Sequence, residues 1–454
     1  MSLDNDRSRV AHLLRRAGFG AGDAELDDYL VLGFQGAVDR LLTPEQVADD
    51  LDQRVAALKL DPSKAADIEY QWLYRMVNTK RPLQEKIALF WHGHFATAIS
   101  KVRSPELMWR QNQLFRDKGL GGFYDLTLAV SQDPAMLIWL DGNTNRKAAP
   151  NENYGRELME LFTLGLGNYT EDDVKAAARA FTGWFFKGER DPDKKRLVSA
   201  EFAFNPRQHD ETAKTFLGQT GNWNGDDVIR IILQHPASAR FVARKLFGFF
   251  VWDNPDDATI QPFADVYTQS KYDIRATLRA MLLSPQFLSP QAYHAKIKAP
   301  AELVAGALRA LGVTTPPKSA LLSLRTMGQE LFNPPNVGGW TSGPGWISTS
   351  SLLERFNFVN RVITARGGKA IQPFDPSALL AGHNLTTADQ LADYFAGLLL
   401  DGDLAPDQRA ALVAYLNRDD QGQPAPFTLT PHTLDGKVRG LIHLTMAAPQ
   451  YQLS

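Results

Sequence analysis

The sequence predicts a mainly α, multi-helical globular protein with a small inserted antiparallel β-sheet at about residues 183–217. Apolar residues recur at helical spacing through most of the 454-residue chain. Between residues 183 and 217 they form short aromatic or alternating runs separated by Gly, Pro and charged residues, which is typical of antiparallel strands. A hydrophobic fraction of 44% is ample for a large core and excludes a disordered chain.

The first helices carry apolar stripes that end at a cluster of glycines. Leu13 and Leu14 belong to the first stripe, and the glycine-rich residues 18–22 follow it. Because this cluster follows a helix and not a strand, a helix–helix turn is favoured over a phosphate-binding loop. Further helices are predicted at 83–99, 104–115, 123–131, 153–164 and 170–182. The last begins with Thr170 and three acidic residues, which form a capping run.

Helical patterning resumes after the β insert. Helices are predicted at 226–250, 273–283, 300–311 and 319–331, and another begins at residue 350. Residues 333–346 are too rich in Pro and Gly for regular structure, and residues 368–376 resemble a linker. The predicted regions are therefore an N-terminal helical region (1–182), a β insert (183–225), a second helical region (226–366) and a C-terminal helical subdomain (377–454).

The composition excludes several classes of protein. With 49 Lys and Arg against 51 Asp and Glu, the chain has no cationic field for nucleic acid. The absence of Cys excludes thiolate catalysis, iron–sulfur clusters and Cys-ligated zinc. No apolar run approaches the roughly 20 residues of a spanning helix, and no signal peptide is visible. We expect a cytoplasmic protein as given, or an extracytoplasmic one if a leader was removed.

The first candidate site is the segment Phe90–Phe95, which contains His92 and His94. Imidazole is the commonest transition-metal ligand and a proton carrier near neutral pH. Residues i and i+2 of an α-helix point about 200° apart, so both rings reach one ion only if the helix breaks at Gly93. The alternative is one packed and one surface histidine.

The second candidate site is the helix at 153–164. Glu157 and Glu160 lie three residues apart beside an apolar stripe, which is how a helix presents carboxylate ligands or an acid–base pair. The alternative is a solvated face on which Arg156 pairs with Glu152 and Glu160.

The third candidate site is a turn between two predicted strands, where His209 precedes Asp210. Together they could place an imidazole and a carboxylate at the edge of a cleft. The alternative is a turn in which Asp210 caps the local backbone.

Eight phrases of the chain resemble the signature segments of DUF1800, a bacterial family of unassigned activity. They are residues 11–20, 90–95, 133–137, 151–165, 178–184, 209–210, 214–218 and 334–340, in the family's order. The resemblance runs from about residue 8 to the chain end. The resemblance implies that the residues of all three candidate sites belong to signature segments of the family, and that Glu152 does so too. Members of the family often look exported. This chain departs from that pattern because no leader is visible in its sequence.

The leading hypothesis is metal-assisted hydrolysis of a small-molecule or glycan substrate. We expect His92, His94 and His209 to be ligands of zinc, manganese or iron, and Glu157 to be a ligand or the general base. Arg156 would bind an anionic group or orient a carboxylate.

Two alternatives remain open. In a metal-free glycan-acting hydrolase, Glu157 or Glu160 would be the general acid, and Glu152 or Asp210 would complete the pair. Loop tryptophans could stack on sugar rings. They are Trp184, Trp223, Trp340 and Trp346. In a non-catalytic scaffold or binding protein, Arg156, Glu157 and Glu160 would form a buried ion network. Oligomeric state is open in every case.

Overall fold

The computed structural model describes residues 3–192, 196–367 and 372–454, and they fold mainly as α-helices with two small antiparallel sheets. This confirms the predicted fold class. The helices before the sheets are α1 (Asp6–Arg16), α2 (Asp23–Leu30), α3 (Gly33–Leu42), α4 (Leu51–Ala57), α5 (Ala65–Asn78), α6 (Pro82–His94), α7 (Ile99–Val102), α8 (Pro105–Lys118), α9 (Phe123–Ser131), α10 (Pro134–Trp139), α11 (Asn153–Glu157) and α12 (Glu171–Ala180).

Local sequence explains where the helices that carry the candidate sites begin and end. Pro82 stands at the start of α6, where its missing N–H costs nothing. The helix continues through Gly93 to His94, so the predicted helix at 83–99 ends five residues early. Thr170 and Asp173 form the predicted capping box of α12. Between α11 and α12, residues Leu158–Thr163 form a π-helical turn.

The β insert consists of two separate hairpins. Strands β1 (Trp184–Arg190) and β2 (Leu197–Phe204) pair antiparallel, with Trp184 opposite Phe204. Strands β3 (Lys214–Phe216) and β4 (Gln219–Gly221) form the second pair. The predicted antiparallel strands are thus present, divided between two sheets.

Seven helices follow the hairpins in this part of the chain. They are α13 (Gly225–Gln234), α14 (Pro236–Phe250), α15 (Asp257–Gln269), α16 (Ile274–Leu282), α17 (Pro300–Ala310), α18 (Ser319–Thr326) and α19 (Thr349–Ile363). Pro236 divides the predicted helix at 226–250 because its ring forces the preceding residue out of the helical conformation. The helix α15 was not predicted, and it contains an internal proline, Pro262.

The C-terminal residues form a further group of helices on the same core. They are α20 (Pro376–Leu380), α21 (Ala388–Leu400), α22 (Pro406–Leu416), α23 (Pro431–Thr433), a π-helical turn (Leu434–Val438) and α24 (Arg439–Ala447). Residues 368–371 of the predicted linker lie outside the described residues. One hydrophobic core includes residues of both ends, such as Val10, Phe395 and Leu441. Within the described ranges, none of the helices has the length and apolar character that crossing a membrane requires.

Candidate functional site

Three of the signature segments meet in the interior. The segment of His92 and His94 contacts the Pro/Gly-rich loop 333–346, where a Cβ on Gly339 would lie 2.2 Å from the carbonyl oxygen of Gly93. Gly339 has a φ of +86°, so the loop needs glycine at this position for both space and conformation. On another face, His94 Nε2 donates to the carbonyl oxygen of Phe162 at 2.9 Å. The helix α6 therefore connects the loop to the π-helical turn.

His92 lies in an aromatic cage and makes no hydrogen bond. Its exposed fraction is 1%, and both ring nitrogens lack a partner among the described residues. The rings of Trp72, Phe115, Phe332 and Trp340 surround it at centroid distances of 5.2–6.1 Å. Burial lowers the pKa of His92 to about 3, so the imidazole is neutral at pH 7.

His94 is also packed among aromatic rings, although it is only partly buried. It stacks on Phe90 at 5.8 Å and lies 6.2 Å from the ring of Phe241. Burial, and then the nearby charge of Lys245, lower its pKa to about 3. The hydrogen bond to Phe162 occupies Nε2 and leaves Nδ1 as the lone-pair nitrogen of the neutral ring. Both histidines are therefore packed against aromatic rings. The alternative predicted from the sequence was one packed histidine and one surface histidine.

The two glutamates lie at the junction of α11 and the π-helical turn. Glu157 ends α11, and Glu160 lies within the turn; both are partly buried. The hydroxyl of Tyr169 donates to Glu160 Oε2 at 2.8 Å. Burial, followed by the charge of Glu160, raises the pKa of Glu157 above its usual value, and Arg156 opposes this only weakly. π-Helical turns are rare and occur frequently at functional sites.

Arg156 faces away from this carboxylate pair. Its guanidinium donates to Glu171 at 2.7 and 2.8 Å and to Glu152 at 3.2 Å. The Arg156–Glu152 pair was predicted, but Glu171 takes the place of Glu160 as the second partner. The buried ion network of Arg156, Glu157 and Glu160 that the scaffold hypothesis requires is therefore not formed. Glu157 has no hydrogen-bond or ion-pair partner among the described residues.

The turn of His209 and Asp210 is held by its own neighbours. His209 Nδ1 donates to the carbonyl oxygen of Thr182 at 2.9 Å, and its ring packs on Phe204. Asp210 accepts from Arg179 Nε at 2.7 Å. Burial would raise the pKa of Asp210, but the hydrogen bonds from Arg179 and Thr212 outweigh it and hold the pKa well below its usual range. Asp210 therefore remains charged and paired at neutral pH.

The predicted three-histidine metal set is not brought together. Across residues 3–192, 196–367 and 372–454, no group of three His, Asp or Glu side chains could hold one metal ion. His92 and His94 cannot share an ion because α6 continues through Gly93, and their rings therefore project from different faces of the helix. His209 belongs to a separate cluster around Thr182. Of the predicted residues, the structure brings together Glu157 and Glu160. The helix of His94 adjoins them, because His94 donates a hydrogen bond to Phe162 in the same π-helical turn.

A buried charge cluster was not identified from the sequence. It lies where α1, the segment before α17, and the end of α21 meet. Its cations are Arg15, Arg16, Lys86, Lys296, Lys298 and Arg355, and its carboxylates are Asp253, Glu302 and Asp401. The available signal in the sequence was the adjacent pair Arg15 and Arg16 at the end of α1.

A cavity of about 1420 Å³ forms a groove elsewhere on the molecule, bordered by α2, α3, α20 and α21. Two pairs of its polar side chains contact each other: Arg309 with Glu25, and the Tyr394 hydroxyl with Asp23 at 2.6 Å. None of the predicted site residues lines it. Size alone therefore does not make this groove the candidate site.

Comparison with known proteins gives a family without an assigned activity. No curated protein and no solved structure matches the chain. The model of DUF1800, described as a protein of unknown function, matches residues 12–453. Since the match covers nearly the whole chain, the protein belongs to the DUF1800 family.

Proposed function

We propose that the protein is a hydrolase whose acid–base pair is Glu157 and Glu160. The observation that carries the proposal is the environment of Glu157. Its carboxyl group is partly buried beside a second carboxylate, its pKa is raised, and no described cation neutralises it. Structural carboxylates are normally paired or solvated, whereas carboxyl groups with raised pKa values are concentrated at catalytic sites, where they serve as general acids.

The two carboxyl groups have different surroundings, which suits different roles. Loss of the Glu157 proton would place two negative charges side by side, so Glu157 is the general acid for a leaving-group oxygen. Glu160 is oriented by the Tyr169 hydroxyl and is the general base or nucleophile. Glycosides are the substrate class that uses two carboxyl groups in this way. Leu166, a few residues after Glu160 in the chain, is 75% exposed between two glycines and would offer an apolar contact to a substrate that reaches it.

A metal-assisted form of the same site is the second candidate. Glu157 and Glu160 could hold manganese with water in the remaining positions, because hard cations accept one or two carboxylates and keep several waters. The ion would then activate a bound water. This form takes its ligands from α11 and the π-helical turn that follows it, and it does not require His92 or His209.

The test combines glutamine variants with a panel of 4-nitrophenyl glycosides. Glu157→Gln and Glu160→Gln should each lower turnover by about 10²–10⁴-fold, the usual contribution of a positioned acid or base. The matched control is Glu152→Gln, on the same segment but paired with Arg156. It should stay within about threefold of wild type. Dependence of turnover on added manganese, abolished by EDTA, would select the metal-assisted form.

A second measurement needs no substrate. Other carboxyl groups, such as Asp133, also have a raised pKa, so the quantity of interest is the infrared difference between wild type and Glu157→Gln. Above the pH at which an ordinary glutamate ionises, the variant should lack one protonated-carboxyl band that wild type has. If the two spectra show the same bands, or if both glutamine variants retain wild-type turnover, the assignment is wrong.

A further inference from the structure

A polar cavity lies apart from the proposed acid–base pair, between residues 49–52, the end of α5, the start of α6 and the end of α8. It measures about 270 Å³. Drug-sized ligands occupy pockets of about 300–1,000 Å³, so this cavity suits a smaller molecule. Among the described residues that line it, Leu51 is the only apolar one. A ligand of this cavity would therefore carry several polar groups on a small frame.

Most charged groups of the cavity wall neutralise one another. Arg116 donates to Glu85 through Nε at 2.7 Å and through Nη2 at 2.9 Å. Arg75 forms ion pairs with Asp52 and, at 3.8 Å, with the same Glu85. Asp49 accepts hydrogen bonds from two backbone N–H groups and a hydroxyl, and it lies 3.7 Å from the guanidinium of a neighbouring arginine. These groups therefore have their counter-charges within the fold.

Two charged side chains of the same cavity have no counter-ion. Arg81 donates from Nε to the carbonyl oxygen of Val47 at 2.8 Å, and its two Nη groups have no partner among the described residues. The carboxylate of Asp117 forms neither a hydrogen bond nor an ion pair with any of them. The amide side chain of Gln84, which also lines the cavity, is unpaired in the same part of the chain. The cavity thus presents one free positive charge, one free negative charge and a neutral amide.

Both free charges lie at helix ends where their sign is unfavourable. Arg81 is the N-cap residue of α6, and its side chain makes no capping hydrogen bond. Asp117 lies in the last turn of α8. A helix is positive at its N-terminus and negative at its C-terminus, so a cation at the first and an anion at the second each cost stability. Side chains that break a local rule without a compensating contact are expected at functional sites.

The same two turns contain charges of favourable sign, but those charges pair with each other. Glu85 lies in the first turn of α6, and Arg116 lies in the last turn of α8. An anion bound at Arg81 would meet both the guanidinium and the positive end of α6. A cation bound at Asp117 would meet both the carboxylate and the negative end of α8. The two ends of the cavity therefore favour ligand groups of opposite charge.

The wall also contains an unsatisfied buried donor. Arg75 has an exposed fraction of 8%, and its Nε has no hydrogen-bond partner among the described residues. Buried polar groups without a partner are rare in folded proteins, and ordered water or a ligand normally satisfies them. The wall thus has unused hydrogen-bonding capacity beside the two free charges.

We propose that this cavity binds a small amino acid in its zwitterionic form. The carboxylate of the ligand accepts from the Nη groups of Arg81, and its ammonium group donates to Asp117. A zwitterion satisfies both charges, whereas a simple anion or a simple cation would leave one of them unpaired. The proposal does not rest on the acid–base pair, because no residue of that pair lines the cavity.

The test is calorimetric titration of the full chain with glycine, serine, β-alanine and 4-aminobutanoate, which differ in the separation of their charges. Saturable one-to-one binding of at least one of them is expected. The N-acetyl derivative and the methyl ester of that amino acid each lack one charge. Both should bind at least tenfold more weakly than the parent.

Substitutions at the two free charges connect this binding to the cavity. Arg81→Gln and Asp117→Asn should each weaken it at least tenfold, and Asp117→Asn should also lose the preference for the free amino acid over its N-acetyl derivative. The matched controls are Lys80→Gln and Lys118→Gln, because both lysines are exposed, adjacent in sequence to the tested residues and outside the cavity lining. They should leave the affinity within threefold.

Folding of the variants is checked by urea unfolding. If Arg81→Gln fails to fold, Asp117→Asn decides, since it removes an exposed, unpaired charge from an unfavourable helix end and should leave the urea midpoint unchanged or higher. The proposal is overturned if wild type binds none of the four amino acids, or if either derivative binds as tightly as its parent. It is also overturned if Asp117→Asn retains wild-type affinity.

Discussion

Replacing His92 by phenylalanine should make the fold less sensitive to acid. The imidazole is enclosed by aromatic rings and its pKa is lowered to about 3, whereas an unfolded histidine titrates near 6.5. Above pH 6.5 both states are neutral, and the residue adds no pH dependence. As the pH falls from 6.5 towards 3, the unfolded chain binds a proton that the native state refuses, so stability is lost.

The size of this effect follows from the two pKa values. Each unit of difference is worth about 1.4 kcal/mol, so at pH 4 the wild type should have lost about 3 kcal/mol through His92 alone. His92→Phe removes this term and fills the cage with a ring that needs no hydrogen bond.

The assay is urea unfolding at pH 7 and pH 4, followed by tryptophan fluorescence. The quantity of interest is the change in unfolding free energy between the two pH values, compared between variant and wild type. This comparison matters because other groups act in the opposite direction. Burial raises the pKa of Asp133 to about 7, so its contribution is present at low pH and lost as the pH rises through 7. That contribution cancels when the variant is subtracted from wild type.

The matched control is His432→Phe, since the His432 side chain is 78% exposed and contacts only Asp420 among the described charged groups. A surface pair of this kind is worth at most about 1 kcal/mol, so the control should change the pH dependence much less than His92→Phe does. If His92→Phe changes the difference between pH 7 and pH 4 by less than about 1 kcal/mol, the imidazole is protonated more easily than its cage allows. The description of His92 as a packing residue would then be refuted.

Three further substitutions test other parts of the structure. Gly339→Ala should destabilise by at least about 2 kcal/mol in urea unfolding, because it places a Cβ against a backbone carbonyl at a positive φ; Gly397→Ala, in open space, should not. Lys86→Met should cost about 3–5 kcal/mol because it leaves Glu302 buried without its cation, and adding Glu302→Gln should recover part of the loss. Glu157→Gln should raise the urea midpoint at pH 8 but not at pH 3.5, because a raised glutamate pKa removes stability only as the pH rises through it. If Glu157→Gln and wild type have equal urea midpoints at both pH 8 and pH 3.5, the raised pKa of Glu157 is contradicted.

Helix boundaries could be predicted where local chemistry determines them. The capping box of Thr170 and Asp173 is satisfied within four residues, so the start of α12 follows from the sequence. The π-helical turn at Leu158–Thr163 could not be predicted in this way. Its hydrogen bonds differ from those of an α-helix by one residue, and the amino-acid pattern of the two is the same. The helix α15 was missed because Pro262 interrupts its pattern.

The candidate site could be predicted only where local spacing determines its geometry. Spacing alone indicates that His92 and His94 diverge on an intact helix, and that geometry is what the structure has. The loop that packs against Gly93 contains Gly339, which is distant in sequence. The partner of His209 is likewise a carbonyl oxygen 27 residues away. Contacts between distant segments decide each case, and a single sequence does not reveal them.

Packing explains the presence of most of the candidate residues, but it does not explain Glu157. His92 fills an aromatic cage, Gly339 permits a close backbone contact, and Asp210 is neutralised by Arg179. Each of these side chains or backbone positions has a partner or a steric purpose that stabilises the fold. Glu157 has neither: burial and Glu160 both act against its charge, and Arg156, which favours that charge, forms its ion pairs with Glu171 and Glu152. Groups that cost the fold stability are concentrated at functional sites, which is why the proposed acid–base pair, and not the histidines, is the site to test first.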